Sequence, residues 1–316
     1  MSVPTEIEVL IPHWNRASGL RGALDSLRLQ TLPASTCVVD NGSTDETGTM
    51  LASDYPEVRV VHLPRNLGFG AALNRGVQTS RARIVVFLNN DAVADARFLE
   101  RLATRQAETA AEMVAGCLRS PDGRIESLGV EVDSSLNAYD AYNGQPFEDG
   151  FSAPAPLGPT GGAGAYLRDA FESVGGFDET LFAYLEDVDL AIRMRLAGLR
   201  CAAAPDAFVW HRHSATLGAR SARKNELLGF GRGYLLWKFG GGLSKTQRLT
   251  AALGDCVVYA GKAVVDRNLG AVRGRLRARR LLRGRPRPAP DPRIAELPLL
   301  RLSLREALGR RVARRR

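Results

Sequence analysis

The sequence predicts an α/β fold built on a doubly wound, mostly parallel sheet, followed by a helical, basic C-terminal extension. Three observations lead there. Apolar, β-rich runs alternate with helix-patterned stretches through the first third of the chain, the order that builds right-handed strand–helix–strand units. The run Ile84-Val85-Val86-Phe87-Leu88 is apolar on both faces, as a parallel strand covered by helices on both sides must be. The chain has 316 residues, of which 45% are hydrophobic and 24% charged, enough for a sizeable core without disulfide or metal staples.

The elements follow in order. Strands are expected at Ile7–Ile11, Thr36–Val39, Arg59–Leu63 and Ile84–Leu88, with helices over about Ala17–Gln30, Thr44–Ser53 and Phe69–Ser80 between them. Residues 120–159 are rich in Gly, Pro, Ser and Asn and lack a clear period, which suits loops and short strands around a substrate pocket. Gly161–Ala165 leads into a short strand, and Gly175-Gly176 closes a helix begun near Arg168. A helix opens at Glu186-Asp187 and runs to Leu196, with Gly198 as its stop signal. A strand near Cys201 and a second ending in Val209-Trp210-His211 complete the body. Beyond Lys224 the pattern turns helical, with Leu249, Leu253, Val257, Ala260 and Val264 on one helical face. The basic run Arg273–Arg287, ending among prolines, reads as a linker, and Leu297–Arg316 as a short basic amphipathic helix. The expected division is 1–223 as the body, 224–285 as a helical and membrane-associating extension, and 286–316 as a Pro-rich linker with a basic tail.

The charge is concentrated at one end. Residues 1–243 hold 23 Lys+Arg and 29 Asp+Glu, a net of −6, whereas residues 244–316 hold 20 and 5, a net of +15, which together give the overall +9. An extension this basic seeks an anionic surface, and a phospholipid leaflet is one such partner. Nucleic acid is disfavoured, because few aromatic side chains accompany the arginines to stack on bases. The four cysteines are scattered, with no Cys-x-x-Cys pair, so neither a zinc ribbon nor a disulfide framework is suggested. Free thiols and the lack of a recognisable signal peptide give the expectation of a cytoplasmic protein, peripheral on the inner face of the cell membrane where the tail engages it.

In doubly wound sheets ligands sit beyond the carboxyl ends of the strands. The four strands there are followed by Pro12-His13-Trp14-Asn15-Arg16, Asp40-Asn41-Gly42-Ser43-Thr44-Asp45, Arg65-Asn66-Leu67-Gly68-Phe69-Gly70 and Asn89-Asn90-Asp91. Each could be an ordinary turn; four on one sheet edge make a nucleotide-sized site. Asp91 is placed to hold a divalent cation against a diphosphate. Asp40 could accept a hydrogen bond from a pyrimidine N3–H. Glu186 and Asp187 either cap their helix or supply a general base whose partly apolar surroundings raise its pKa. His211, and more weakly His213, could complete a metal site. A dinucleotide fingerprint, a phosphate-binding GxxxxGK[ST] loop and a Gly-x-Ser-x-Gly elbow are all missing from the sequence, which disfavours dehydrogenase, P-loop and serine-hydrolase chemistry.

Taken together these segments resemble the family 2 glycosyltransferases, and within them the bacterial rhamnosyltransferase-like branch. The residues are Pro12-x-Trp14-Asn15-Arg16, Val39-Asp40-Asn41-Gly42-Ser43-x-Asp45, Asn66-x-Gly68-Phe69-Gly70 with Asn74 and Gly76, Leu88-Asn89-x-Asp91, Gly175-Gly176-Phe177-Asp178-Glu179, Glu186-Asp187-Val188-Asp189-Leu190-x-x-Arg193 and Trp210-His211. The match runs through about residues 7–215 in the family's order. It implies a GT-A fold and an inverting, Mg²⁺- or Mn²⁺-dependent transfer of a sugar from a nucleotide diphosphate sugar, with rhamnose from dTDP-rhamnose as the best match. The implied acceptor is a glycan or a polyprenyl-linked glycan in cell-envelope or polysaccharide synthesis. By the same resemblance Asp40 contacts the base, and Pro12, Asn15, Asn66, Asn89 and Asn90 line the nucleotide pocket. Asp91 and His211 would hold the metal or diphosphate, Asp187 would be the catalytic base, and Gly161, Gly162, Ala163 and Glu186 would border the donor sugar and acceptor. Asn89 replaces the first aspartate of the family's DxD motif, and His13 and Trp14 stand where Thr or Ser and Tyr are frequent. A non-catalytic GT-A-like binding protein and a nucleotidyltransferase are the competing readings.

Overall fold

The computed structural model describes residues 6–148, 150–211, 221–302 and 306. In chain order the body comprises β1 (Ile7–His13), α1 (Ala17–Arg28), β2 (Ser35–Asp40), α2 (Thr47–Asp54), β3 (Arg59–His62), α3 (Phe69–Gln78), β4 (Ile84–Leu88), β5 (Ala92–Ala94), α4 (Phe98–Thr109), β6 (Met113–Arg119), β7 (Ile125–Ser127), β8 (Val130–Val132), β9 (Ala138–Asp140), β10 (Ala163–Leu167), α5 (Arg168–Ser173), α6 (Glu186–Leu196) and β11 (Cys201–His211). The extension adds α7 (Ala222–Phe239), α8 (Lys245–Val265) and α9 (Gly270–Leu281).

One large sheet runs in the order β3-β2-β1-β4-β10-β6-β11-β5, with β7 paired to β6. The first four strands are mutually parallel. Then β10 enters antiparallel between β4 and β6, and β6 pairs parallel with β11. Strand alternation divides the core between the two faces. Val9, Ile11, Val86 and Leu88 meet Leu20, Met50, Phe98 and Leu102 of α1, α2 and α4 on one side. Leu10, Val85 and Phe87 meet Leu73, Val77, Phe171 and Leu190 of α3, α5 and α6 on the other. Each such fully buried Leu or Phe contributes about 2 kcal/mol.

Residues 92–119 carry β5, α4 and β6, for which the sequence offered no clear assignment. Phe98, Leu99 and Leu102 are the buried stripe of α4. The two strands expected near Cys201 and Trp210 are one strand, β11, whose register with β6 shifts between Ala204 and Phe208; Pro205 lies within that irregularity, where a ladder bond is already lost.

The basic run from Arg273, expected to be a linker, is helical through Leu281. Its small residues allow this. Gly274 crosses α7 so closely that a Cβ there would collide with the Glu226 carbonyl oxygen, and Gly270 and Ala271 crowd α7 in the same way. Residues 297–302, expected to begin a helix, are instead extended: Leu300 bridges Asp133 and donates to the Val132 carbonyl at 2.8 Å. Most of the remaining tail lies outside the described residues. The extension also shares core with the body, since Leu235 and Phe239 of α7 pack with Val188 and Ile192 of α6.

Candidate active site

Strand register, rather than sequence proximity, assembles the site. β10 pairs Ala163 opposite Leu88, which lays Gly162 against Asn89; the Asn89 N–H donates to the Gly162 carbonyl at 3.2 Å. A Cβ on Gly162 would stand 2.6 Å from Asn89 Nδ2, so any larger residue there would have to displace the Asn89 side chain. β11 pairs His211 opposite Ala92, which carries the imidazole to the residue just before it. His211 Nε2 lies 3.2 Å from Asp91 Oδ1 and 3.3 Å from Asn89 Nδ2. Its other nitrogen, Nδ1, lies 2.9 Å from Glu126 Oε2. Burial opposes charging of His211, but the hydrogen bonds to Asp91 and Glu126 prevail and raise its pKa to about 10. Glu126 therefore orients the ring, as carboxylates commonly do behind a metal-ligating histidine.

The donor set fits a hard divalent cation. Ligands of an octahedral ion about 2.1 Å from each stand about 3 Å apart when adjacent, which is the Asp91–His211 separation. Carboxylate, imidazole and amide oxygen are groups such ions accept. Among the described residues no cluster of three or more His, Cys, Asp or Glu forms an all-protein metal cage, and Mg²⁺ characteristically uses one or two protein ligands with substrate phosphates completing the shell.

The carboxylate pair lies at the start of α6, reached through Tyr184 and Leu185 in the left-handed region, φ 67° and 68°. Asp187 Oδ2 accepts from the Gly161 N–H at 3.3 Å and Oδ1 from the Val188 N–H at 2.8 Å. Burial, reinforced by the negative charge of Asp140, raises its pKa to about 6 against these two bonds. Glu186 is buried, and its Oε2 has no hydrogen-bond partner among the described residues. Burial first, and Asp187 second, push its pKa well above the usual carboxylate range. Gly161 and Gly162 thus join the two halves: one holds Asp187, the next holds Asn89.

The ends of β1 to β3 carry the other candidate residues. Asn15, at φ 57°, accepts from the Thr44 N–H through its Oδ1 at 2.8 Å, while its own N–H donates to Ser43 Oγ at 2.8 Å. Asp40 is buried, accepts from the Ser43 N–H at 2.9 Å and stands 3.3 Å from His62 Nδ1. Asn66 Oδ1 accepts from Asn41 Nδ2 at 3.1 Å. Pro12 is buried beside Val39 near the end of β1, past the last residue paired with β4. Asn90 contacts His13 Nδ1 at 2.8 Å, and His13 Nε2 lies 2.9 Å from Thr47 Oγ1. Burial lowers the His13 pKa although Asp40 and Asp45 pull it up.

Sequence reasoning did not single out Glu126, Asp140 or Asn41 as parts of the site, and noted His13 only as a departure within the motif after β1. Glu126 and Asp140 sit in the aperiodic stretch, where no spacing points at a partner. Asn41 lies inside a segment that was read, yet its use, bracing the Asn66 loop through the Leu67 N–H at 2.8 Å and the Gly68 carbonyl at 3.0 Å, is a matter of tertiary contact. His213 lies outside the described residues.

Comparisons with known proteins identify the family and the fold. The family model for Glycosyl transferase family 2 matches residues 8–175. An N-acetylglucosaminyl-diphospho-decaprenol L-rhamnosyltransferase of Mycobacterium tuberculosis is 30% identical over 226 residues, covering 62% of this chain and 72% of that protein. A pre-mycofactocin glycosyltransferase of the same organism is 33% identical over 229 residues, 69% of this chain but 45% of that longer protein. Among solved structures, a mannosyltransferase from Pyrobaculum calidifontis in complex with GDP-Man and Mn²⁺ superposes with a TM-score of 0.56 at 19% identity, covering 99% of this chain and 86% of that one; at that identity the likeness speaks for the fold. The matched family and the curled α/β sheet agree with the motif order read along the chain: the protein belongs to the family 2 glycosyltransferases and has their GT-A fold.

Proposed function

We propose that the chain is an inverting, metal-dependent transferase that moves a deoxyhexose, rhamnose from dTDP-rhamnose, onto a hydroxyl of a polyprenyl-diphosphate-linked glycan in cell-envelope synthesis. One observation carries the mechanism: Gly161 and Gly162, adjacent in the chain, hydrogen-bond Asp187 and Asn89 respectively, so the candidate base and the candidate metal-binding turn are held by neighbouring residues. The relative named as an N-acetylglucosaminyl-diphospho-decaprenol L-rhamnosyltransferase supports the sugar and the lipid carrier.

In this reading Asp40 accepts from the base N3–H and Asn15, Asn66 and Pro12 shape the nucleotide pocket, with Asn90 braced by His13. Asp91 and His211, helped by the Asn89 amide oxygen, would hold Mg²⁺ or Mn²⁺. When bound, such a cation neutralises the charge that develops on the departing diphosphate. Asp187, with a pKa near 6, is ionised at neutral pH and takes the proton from the acceptor hydroxyl. The acceptor oxygen attacks the anomeric carbon as the bond from that carbon to the diphosphate oxygen breaks on the opposite face, which inverts the centre. Burial disfavours the charged form of Glu186, which stands next to Asp187 where the donor sugar and acceptor would lie. A single displacement needs one base, not the paired carboxylates of a glycosidase.

The test is a donor screen of dTDP-, UDP- and GDP-sugars with Mg²⁺ or Mn²⁺, on the native chain, Asp91→Ala and Asp187→Asn. One donor should bind only with metal, lose affinity in Asp91→Ala and keep it in Asp187→Asn. Failure of every donor to bind folded protein refutes the reading; metal-dependent binding of a UDP- or GDP-sugar alone refutes dTDP-rhamnose.

A further inference from the structure

A helix docked on a globular body normally buries its apolar stripe and turns its polar face to water. α8 does the reverse. Its buried positions are Ala251, Gly254 and Asp255. Asp255 pairs with Arg232 of α7 at 3.1 Å, and Lys262 donates to Asn225 of α7 at 2.7 Å. The opposite face, successive positions four apart, presents Leu249, Leu253 and Val257 at 61%, 58% and 55% exposure, and Val264 at 76%. Leu269, at 53% exposure, extends the apolar surface past the end of the helix.

The exposed charges around this surface are predominantly basic. Lys245, Arg248, Arg267, Arg273 and Arg280 are exposed, while Arg277 is offset by Glu226 of α7 at 3.5 Å. Between residues 244 and 285 the carboxylates are Asp255 and Asp266, and both face α7: Asp266 accepts from Asn225 at 2.9 Å. No helix among the described residues is long and apolar enough to cross a membrane. The mount is firm, because Arg232 also donates to the Ser135 carbonyl at 2.9 Å and to that of Leu136.

We propose that the outward face of α8 lies in the plane of an anionic lipid bilayer, its aliphatic side chains at the acyl-chain boundary and the surrounding arginines on the headgroup phosphates. An aliphatic stripe ringed by Lys and Arg is the pattern of interfacial helices, and each basic group near an anionic leaflet adds attraction. A second copy of the chain is the poorer occupant, since it would set one strongly cationic extension against another. The inference does not depend on which sugar or acceptor is used, so it stands or falls separately from the donor screen.

The experiment is flotation of the full chain with vesicles of phosphatidylcholine alone and of phosphatidylcholine mixed with phosphatidylglycerol, on the native protein and on Leu253→Glu/Val257→Glu. The native chain should float with the anionic vesicles and release with salt, and the double variant should bind them at least about tenfold more weakly. A second readout needs no change of fold. Cys256 is the one exposed cysteine of the four and lies on this face, so a polarity-sensitive fluorophore on it should shift to the blue with anionic vesicles. Failure to float, an unshifted label, or flotation of the double variant equal to native overturns the proposal. So does a native dimer that the double variant dissociates while neither form binds vesicles.

Discussion

Removing the charge of Asp187 should separate catalysis from stability. Asp187 has its pKa raised from 3.8 to about 6 by burial and by Asp140, a displacement corresponding to about 3 kcal/mol. The sign follows from linkage. The folded state holds the Asp187 proton more tightly than the unfolded chain, so ionised Asp187 costs stability, a cost that is absent below pH 3.8 and complete above about 6. Asp187→Asn removes that cost at neutral pH but weakens the bonds from the Gly161 and Val188 N–H groups. The variant should therefore melt no lower than native at pH 7.5 and gain nothing at pH 4. Its transfer rate should fall by about 10²- to 10⁴-fold, the usual contribution of a general base. In the native enzyme kcat/KM should rise with pH as the base, its pKa raised to about 6, becomes ionised. Asp140→Asn should move the midpoint to lower pH, since Asp140 opposes ionisation. Nucleoside diphosphate release, followed across pH with a saturating acceptor, gives the profile, and differential scanning fluorimetry gives the melts. A rate within a few-fold of native in Asp187→Asn, or a flat profile between pH 5 and 7, refutes Asp187 as the base.

Three further outcomes are expected. Glu126→Gln replaces the carboxylate that faces His211 Nδ1 and should weaken divalent-ion affinity by about 10- to 100-fold, read by titration calorimetry with Mn²⁺; unchanged affinity would show that Glu126 does not support the metal site through His211. Gly162→Ala places a methyl 2.6 Å from Asn89 Nδ2 and should cost about 1–3 kcal/mol of stability as the turn yields, together with metal-dependent donor binding; a variant with native donor affinity would show that the turn is not part of the site. Gly274→Val drives a side chain into the α7 backbone at Glu226 and should lower the melting temperature while leaving donor affinity in the surviving folded fraction intact, measured by fluorimetry with and without donor. An unchanged melt would mean that α9 does not depend on this crossing.

How far the sequence reached depended on the range of the forces involved. The parallel strands β1 to β4 were legible because an apolar run of strand length has few other uses, and α6 began at Glu186 and ended at Leu196 as its acidic first turn and following glycine indicate. The candidate residues were legible as a set because polar turns recur at the strand ends that a doubly wound sheet turns to one side. α4 and β6 escaped because Ala- and Arg-rich amphipathic sequence marks its ends weakly. The run from Arg273 looked like a linker because its charge is conspicuous, whereas its helix is made by Gly270, Ala271, Gly274 and Ala278 packing on α7, a property of the partner surface.

By itself, then, the sequence determined the periodicities, the turn chemistry and the ordered motifs that place the chain in its family. Only the tertiary structure decided which of those residues meet. His211 reaches Asp91, 120 positions away in sequence, through the β11–β5 register, Glu126 reaches His211 from a stretch with no period at all, and Asp187 owes its raised pKa to burial and to Asp140. Contact, desolvation and charge pairing act over a few ångströms of space, and a linear pattern records them only where the backbone geometry repeats.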